Sequence, residues 1–377
     1  MAETASKTTA PAAAAPADPQ PLLPGEPAPW FRVPALSGSP SYVFDTAAGR
    51  PILLLFFGLA SQKQSADALA LVQARRALFD DDHACFFGIT VDPADAETGR
   101  IAQQLPGIRF FLDYDRAVSR LYGADLGDGR YRPHWLLLDR TLRVAGTFPI
   151  DAGAAALAAL EAAAKAPPLP SFAPVLVVPN IFEPELCRHL IALYEKNGGE
   201  ESGFMREVDG KTVMLTDPNH KKRRDYLIED MKLQGQLALR VRRRLNPMIA
   251  RAFQFEPTRM ERYIVACYDA EKGGHFRPHR DNTTRGTAHR RFAVSINLNA
   301  EDFDGGDLRF PEFGRATYRP PTGGAVVFSC SLLHEATPVT RGTRYAFLPF
   351  LYDEAAAEVR EANNAFLGEG LGAYKKA

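Results

Sequence analysis

Two domains of unlike class are predicted by this sequence: an α/β domain in the first half and, in the second, a jelly roll of short antiparallel strands backed by helices. Three observations carry the prediction. Before residue 166, long apolar runs alternate with helical stretches; after residue 172, helices give way to serial short strands with Gly-rich turns. Between them lies the Pro-rich stretch Ala166-Pro167-Pro168-Leu169-Pro170-Ser171-Phe172. Domains run at about 150 residues, so 377 residues suit two or three, and 46% hydrophobic residues provide a core for each. The expected layout is a leader at 1–21, a first domain at 22–166, a linker at 167–172 and a second domain at 173–377.

The leader is rich in Ala and Pro and lacks a basic start followed by an apolar core, so it reads as disordered and not as a secretion signal. Residues 51–57 (Pro-Ile-Leu-Leu-Leu-Phe-Phe) form a continuous apolar run, as a strand buried on both faces requires. A helical stretch from 66 to 79 follows, then a second apolar strand at 84–91. Residues 109–112 and 134–139 supply further strands, and an alanine-rich helix at 154–166 closes the domain.

The second half opens with a short strand at 175–180 and an amphipathic helix at 183–196, with Asn180 in its cap region. Another helix is expected at 233–253. In the strand at 291–298, Phe292, Val294, Ile296 and Leu298 share one face, and Ala293, Ser295 and Asn297 the other. Residues 264–268, 325–330 and 345–351 are strand-like as well.

The chemistry-bearing constellation is His279-Arg280-Asp281, followed 334 − 281 = 53 positions later by His334 and 344 − 334 = 10 positions after that by Arg344. Residues two apart on a strand project to one side, so His279 and Asp281 form a two-ligand clip if the strand reaches Asp281. Two imidazoles and a carboxylate occupy one face of an octahedral Fe(II) and leave three positions open. A guanidinium nearby grips a carboxylate with a bidentate fork. The segment from 332 to 345 reads as a hairpin with a loop at 340–342. In that register Arg344 pairs opposite Pro338, on the face shared by Ala336 and His334. An H-x-D tripeptide alone is a weak signal. Its context is Tyr268 on a strand 11 residues upstream and the loop Glu271-Lys272-Gly273-Gly274-His275-Phe276 leading in. Gly305-Gly306 reads as a tight turn, and His275 and Arg277 divide between a structural loop role and substrate contact.

Residues 264–354 resemble the prolyl-hydroxylase branch of the Fe(II)/2-oxoglutarate oxygenases. The shared phrases are Ile264-Val265-Ala266-Cys267-Tyr268, His279-Arg280-Asp281-Asn282, Asp304-Gly305-Gly306-Asp307-Leu308-Arg309-Phe310, and His334-Glu335 with Thr343-Arg344-Tyr345-Ala346. The resemblance implies His279, Asp281 and His334 as iron ligands, Arg344 as partner of the distal 2-oxoglutarate carboxylate, and Tyr268 as a residue that helps hold the co-substrate. It implies Fe(2+), 2-oxoglutarate and O2, with ascorbate as an accessory. The implied reaction is hydroxylation of a C–H bond with release of succinate and CO2. Retention of a carboxylate at Asp281 argues for hydroxylation, since Ala or Gly there would open a position for a halide. Asn297 and Leu348 depart from the Tyr and Thr that the animal oxygen-sensing enzymes of this branch place beside the co-substrate. Residues 22–166 resemble the thioredoxin-like fold of the peroxiredoxins. The likeness lies in element order and in the phrases Phe111-Leu112-Asp113-Tyr114-Asp115…Leu121-Tyr122-Gly123 and Trp135-Leu136-Leu137-Leu138-Asp139-Arg140. Where that family places its peroxidatic cysteine, this chain reads Phe57-Gly58-Leu59-Ala60-Ser61-Gln62-Lys63-Gln64-Ser65, so thiolate peroxidase chemistry has no nucleophile.

Lys+Arg and Asp+Glu are both 45, so overall charge favours neither nucleic acid nor an anionic membrane as a partner. One local exception is His220-Lys221-Lys222-Arg223-Arg224, read as a solvated loop or helix start, with contact to an acidic substrate or partner as the other reading. The cysteines Cys85, Cys187, Cys267 and Cys330 lie far apart without a C-x-x-C pair, which suits a reduced compartment, and a cytoplasmic protein is expected. No apolar run reaches the roughly 18 residues of a membrane helix. The expected substrate is a protein, through a prolyl residue or another side chain, or a free small molecule. A rival reading makes the chain a thioredoxin-like redox or partner-binding protein whose metal-binding jelly roll is a sensor or scaffold.

Overall fold

A computed structural model of the chain describes residues 20–166 and 172–375. The expected leader, apart from Gln20 and Pro21, and the expected linker, apart from Phe172, lie outside the described residues. The chain divides into two compact units, Met1–Pro167 and Pro168–Ala377.

The N-terminal unit is built on a five-stranded sheet in the order Ile108–Leu112, Cys85–Thr90, Ile52–Gly58, His134–Leu138, Val144–Pro149. The first three strands are parallel and the last two antiparallel. Helices Lys63–Ala74 and Gly153–Lys165 pack on the sheet, joining Ala68, Val72, Leu157 and Leu160 to Leu53 and Trp135 in one core. The opposite face is filled by rings, with Phe87 stacked on Phe111 at 4.7 Å and Phe31 on Phe44 at 4.5 Å. Residues 52–57 are therefore buried on both faces, which explains their unbroken apolar run. Parallel strands followed by an antiparallel pair, with helices against them, make the thioredoxin-like fold. Its first helix starts at Lys63, three residues earlier than expected, and ends at Ala74, where a 3₁₀ turn Arg76–Leu78 takes over.

The C-terminal unit is a jelly roll of two antiparallel sheets. The larger runs through Leu176–Val178, Ala325–Ser329, Phe292–Asn297, Thr343–Phe347, Ile264–Asp269, Arg224–Leu227 and Glu200–Glu201. The smaller follows the order Lys221–Lys222, His275–His279, His334–Ala336, Leu308–Arg309, Thr317–Tyr318. Helices back the larger sheet: Leu186, Leu190, Leu237 and Ile249 share its core with Val294, Ile296 and Val327.

Four details differ from expectation. Asn180 does not cap the helix; it takes a left-handed conformation (φ 59°), and the helix Pro184–Asn197 starts after Glu183, with Pro184 placed where no N–H is required. The helix expected at 233–253 begins at Met231 and widens into a π turn at Val241–Leu245 before continuing as Asn246–Phe253. Pro247 has no N–H to donate to the preceding turn, which accounts for the break in the α pattern there. The strand expected at 345–351 splits into Thr343–Phe347 and Phe350–Tyr352 around Pro349, which cannot donate to a ladder. Finally, Arg344 does not pair opposite Pro338 in a hairpin that also carries His334. His334–Ala336 lies in the smaller sheet and Thr343–Phe347 in the larger, while the intervening Val339–Arg341 pairs with Asp304–Gly305. Gly305 and Gly306, both at positive φ, permit this crossing: a Cβ on Gly305 would meet the Pro338 carbonyl oxygen at 2.2 Å, and one on Gly306 the Arg344 Cδ at 3.2 Å.

Candidate functional site

His279 ends its strand and stands directly opposite His334 on the neighbouring strand of the smaller sheet. Asp281 lies two residues past the strand end, where its N–H donates to the Cys330 carbonyl at 3.0 Å. Between the two, Arg280 points away from the site. It is buried, ion-paired to Glu312 at 2.9 Å, and donates to the Ser331 carbonyl, so the clip is anchored from behind by a charge pair. One candidate ligand atom from each of His279, Asp281 and His334 lies within 4.8 Å of the others, the single such group among the described residues. Asp281 sits 3.3 Å from His334 Nε2 through Oδ2, and 3.7 Å from His279 Nε2 through Oδ1.

Both imidazoles are oriented by their own backbone. His279 Nδ1 lies 2.8 Å from the Arg277 carbonyl and His334 Nδ1 3.0 Å from the Leu332 carbonyl, which directs both Nε2 atoms inward as lone-pair donors. Rings hold them in place, Phe276 stacked 3.5 Å from His279 and Phe328 4.5 Å from His334. Burial, followed by the neighbouring His334, drives the His279 imidazole well below its ordinary pKa and keeps it neutral. Burial by itself would raise the Asp281 carboxyl, yet His334 and His279 hold it below the usual carboxylate range. Two imidazoles and a carboxylate suit a divalent iron centre, and these residues fit the metal.

Arg344 sits opposite Tyr268 in the larger sheet, and its guanidinium lies 5.1 Å from the centre of the Tyr268 ring. It is 2% exposed, and its Nη2 donates to Ser295 Oγ at 2.8 Å and lies 3.5 Å from Asn297 Oδ1. Its Nε is buried with no hydrogen-bond partner. Burial lowers its pKa, and neither Ser295 nor Asn297, the neighbours of Nη2, carries a negative charge. A buried cation served by a hydroxyl and an amide fits an incoming carboxylate. One cavity is lined by His279, Asp281 and His334 together with Tyr268 and Arg344.

The structure thus brings all five sequence-predicted residues to one cavity. His275 and Arg277 instead tie down a loop through the Asn219 carbonyl, at 3.3 and 3.0 Å. Leu348 lines the cavity where the resemblance expects Thr. Sequence reasoning missed Ser295, Arg223, Arg262 and Asp225. The run at 220–224, read as a solvated loop or helix start or else as a contact to an acidic substrate or partner, runs through the strands Lys221–Lys222 and Arg224–Leu227, and its burial alternates: Lys221 and Arg223 are buried, Lys222 and Arg224 exposed. That period of two within a cationic run was the available signal.

Residues 263–352 match the family model of the 2OG-Fe(II) oxygenase superfamily. A PKHD-type hydroxylase of Pseudomonas fluorescens (strain Pf0-1) is 31% identical over 175 residues, covering 42% of this chain and 74% of that protein. The chain belongs to the 2OG-Fe(II) oxygenase superfamily. A PKHD-type hydroxylase of Synechococcus sp. (strain JA-2-3B'a(2-13)) is 32% identical over 96 residues, 24% of this chain, which spans only 42% of the length of that relative. Among solved structures, a prolyl hydroxylase from Trichoplax adhaerens is similar over 48% of this chain and 84% of its own, at 19% identity and a TM-score of 0.36. For the N-terminal unit, the bacterioferritin comigratory protein of Xanthomonas campestris is similar over 36% of this chain and 92% of its own, at 20% identity and a TM-score of 0.31. Membership implies Fe(2+), 2-oxoglutarate and O2 as the reacting set. No helix among the described residues is long and apolar enough to cross a membrane.

Proposed function

We propose that this oxygenase hydroxylates a C–H bond of a protein or small-molecule substrate, with His279, Asp281 and His334 holding Fe(2+) and Arg344 anchoring the distal carboxylate of 2-oxoglutarate. The observation that carries the reading is the convergence on one cavity of three ligand atoms within 4.8 Å and a buried guanidinium with a spare donor. The bound iron, with 2-oxoglutarate and O2, supplies oxidative decarboxylation to succinate and CO2, one oxygen atom entering succinate and the other the substrate.

The chain's own residues bind, orient and desolvate. The Nδ1 contacts to the Arg277 and Leu332 carbonyls fix both imidazoles before metal arrives, so little is lost in ordering them. Arg344 is held at a set depth by Ser295 Oγ and the Tyr268 ring, which fixes the length of dicarboxylate that fits between it and the ligand trio. Phe276, Phe328 and Phe350 line the cavity and lower its polarity, strengthening each charge-assisted contact.

The proposal extends to domain limits of 22–166 and 173–377 and to cytoplasmic residence, supported by four free, buried cysteines. The test is succinate formation from 2-oxoglutarate by protein purified without oxygen, then given Fe(II), ascorbate and air, with pools of peptides and of amino acids. Iron-dependent succinate, stimulated by one pool, is expected; iron binding without turnover in any pool would move the reading to a sensor or scaffold.

A further inference from the structure

The cavity holds more positive charge than the co-substrate uses. Arg223 and Arg262 line it along with Arg344, although neither arginine touches the ligand trio's hydrogen bonds. Arg223 is committed: its Nη2 donates to Asp225 Oδ2 at 2.6 Å and to Ser202 Oγ at 3.0 Å, and its Nη1 to Tyr268 Oη at 3.3 Å. Arg262 is not. Its ion pair is a long 3.5 Å to the same Asp225 Oδ2, an oxygen already taken by Arg223 and by Ser202 Oγ at 2.5 Å. The Arg262 guanidinium lies 5.1 Å from the Phe350 ring centre, and its side chain, which lines the cavity, is 28% exposed. The backbone accepts strain to put it there. Arg262 has φ 67° in the two-residue link between strands Arg259–Glu261 and Ile264–Asp269, a region that residues with a Cβ seldom occupy. Burial, and then Arg223, lowers its pKa to about 10, as expected for a cation short of a counter-ion.

Charge counting narrows what is missing. Arg223, Arg262 and Arg344 contribute +3, and Asp225 and Asp281 −2. Fe(2+) and the 2-oxoglutarate dianion cancel, which leaves an excess of positive charge at the wall. Arg290, 4.1 Å from the Phe350 ring, shares Glu261 with Arg360, at 2.7 and 2.8 Å, and does not reduce that excess. The planar guanidinium of Arg262 presents two parallel N–H donors, the geometry that a planar carboxylate accepts.

We propose that Arg262, seated against Phe350 and backed by Arg223, is the carboxylate-binding subsite for the molecule that is oxidised, so that the substrate is a small carboxylic acid, free amino acids included. The inference rests on the oxygenase reading above and narrows its substrate class. A fork of two N–H donors on a planar carboxylate would fix the acid's orientation, as Arg344 does for the co-substrate at another part of the wall.

The experiment uses the full chain loaded with Mn(II) and saturating 2-oxoglutarate, titrated by calorimetry with acetate, benzoate and L-alanine, and in parallel with acetamide, benzamide and L-alaninamide. At least one carboxylate is expected to bind, roughly ten- to a hundredfold more tightly than its amide, the value of a charge-assisted hydrogen-bond pair. Arg262→Gln should erase that discrimination and leave 2-oxoglutarate affinity within twofold. Arg262→Lys, which keeps the charge but loses the fork, should fall between, and it serves if the Gln variant melts early. No binding by any carboxylate, or discrimination that survives in Arg262→Gln, overturns the proposal. So does 2-oxoglutarate affinity that falls in step, because the guanidinium would then serve the co-substrate. Wild-type protein that binds neither Mn(II) nor 2-oxoglutarate breaks the oxygenase reading itself, before any acid is added, and the inference with it.

Discussion

The end of the first apolar strand in the N-terminal unit and the mouth of the jelly roll are each the place where their fold can present chemistry, and their polar groups are disposed in opposite ways. Past Gly58, buried polar groups close on one another. Asp95 accepts from the Ala60 N–H at 2.9 Å and from Thr90 Oγ1 at 2.6 Å, and Ser65 Oγ donates to the Phe57 carbonyl at 2.9 Å. In the jelly roll, buried atoms without hydrogen-bond partners also occur on Asn246 and His289, but Arg344 Nε and Arg223 Nε meet at one cavity beside a metal-ligand trio, with Asp225 Oδ1 behind Arg223. The N-terminal unit has such atoms too, on Arg50, Gln103 and His134, but they are spread over separate elements, and no metal-ligand group among the described residues accompanies them. Unmet polar demand marks a ligand site when it converges, and not when it is scattered.

The contrast breaks first at the ligand trio. Asp281→Ala or His279→Ala should bring iron-dependent succinate formation down to background and remove tight metal binding, both measured on protein whose melting temperature shows it folded; unchanged turnover would refute the assignment. Arg344→Ala comes next, with 2-oxoglutarate binding weakened by about 2 kcal/mol, or roughly thirtyfold, and metal affinity nearly unchanged by calorimetry. Thirdly, Glu261 ties the cavity wall to the last helix through His289 at 3.2 Å, Arg290 at 2.7 Å and Arg360 at 2.8 Å. Burial acts to raise its carboxyl, but Arg290 and its neighbours hold it below the usual carboxylate range. Its folded pKa is therefore depressed. The stability it contributes is fully present above the unfolded value of about 4.3 and is lost as pH falls below that toward the folded pKa. Glu261→Gln, leaving Arg290 and Arg360 under-neutralised, should cost about 3 kcal/mol in denaturant melts at pH 7 and flatten the acid limb of the stability curve. The smallest effect tests the silent region: Cys85→Ala, inside a fully buried strand, should cost about 1 kcal/mol and leave succinate formation untouched. A loss of turnover there would give the N-terminal unit a chemical role it lacks in this account.

How much was legible in the sequence followed from whether a signal was local. The run at 51–57 and the alternation at 291–298 each declared a strand, because burial on two faces or on one writes itself into composition at fixed period. His279, Asp281 and His334 were readable from spacing joined to neighbouring phrases. The hairpin between His334 and Arg344 was misread, since local loop geometry favours pairing while the actual partner of Val339–Arg341 is Asp304–Gly305, about 35 residues upstream. Arg262 was invisible for a related reason: its importance depends on a left-handed φ and on an Asp225 oxygen crowded by Arg223 and Ser202, none of which a single chain of letters displays. Ser295 lay on the correct face of its strand, but only the fold shows that this face meets Arg344.

The central claim is that the jelly roll couples 2-oxoglutarate to O2 through His279, Asp281 and His334. Its most direct test is succinate release from 2-oxoglutarate by the full chain with Fe(II) and air, compared with Asp281→Ala under the same conditions. The account predicts iron-dependent succinate from the wild type and none above background from the variant. Equal release from both, or none from a wild type that binds iron and 2-oxoglutarate across every peptide and carboxylic-acid pool, would contradict it.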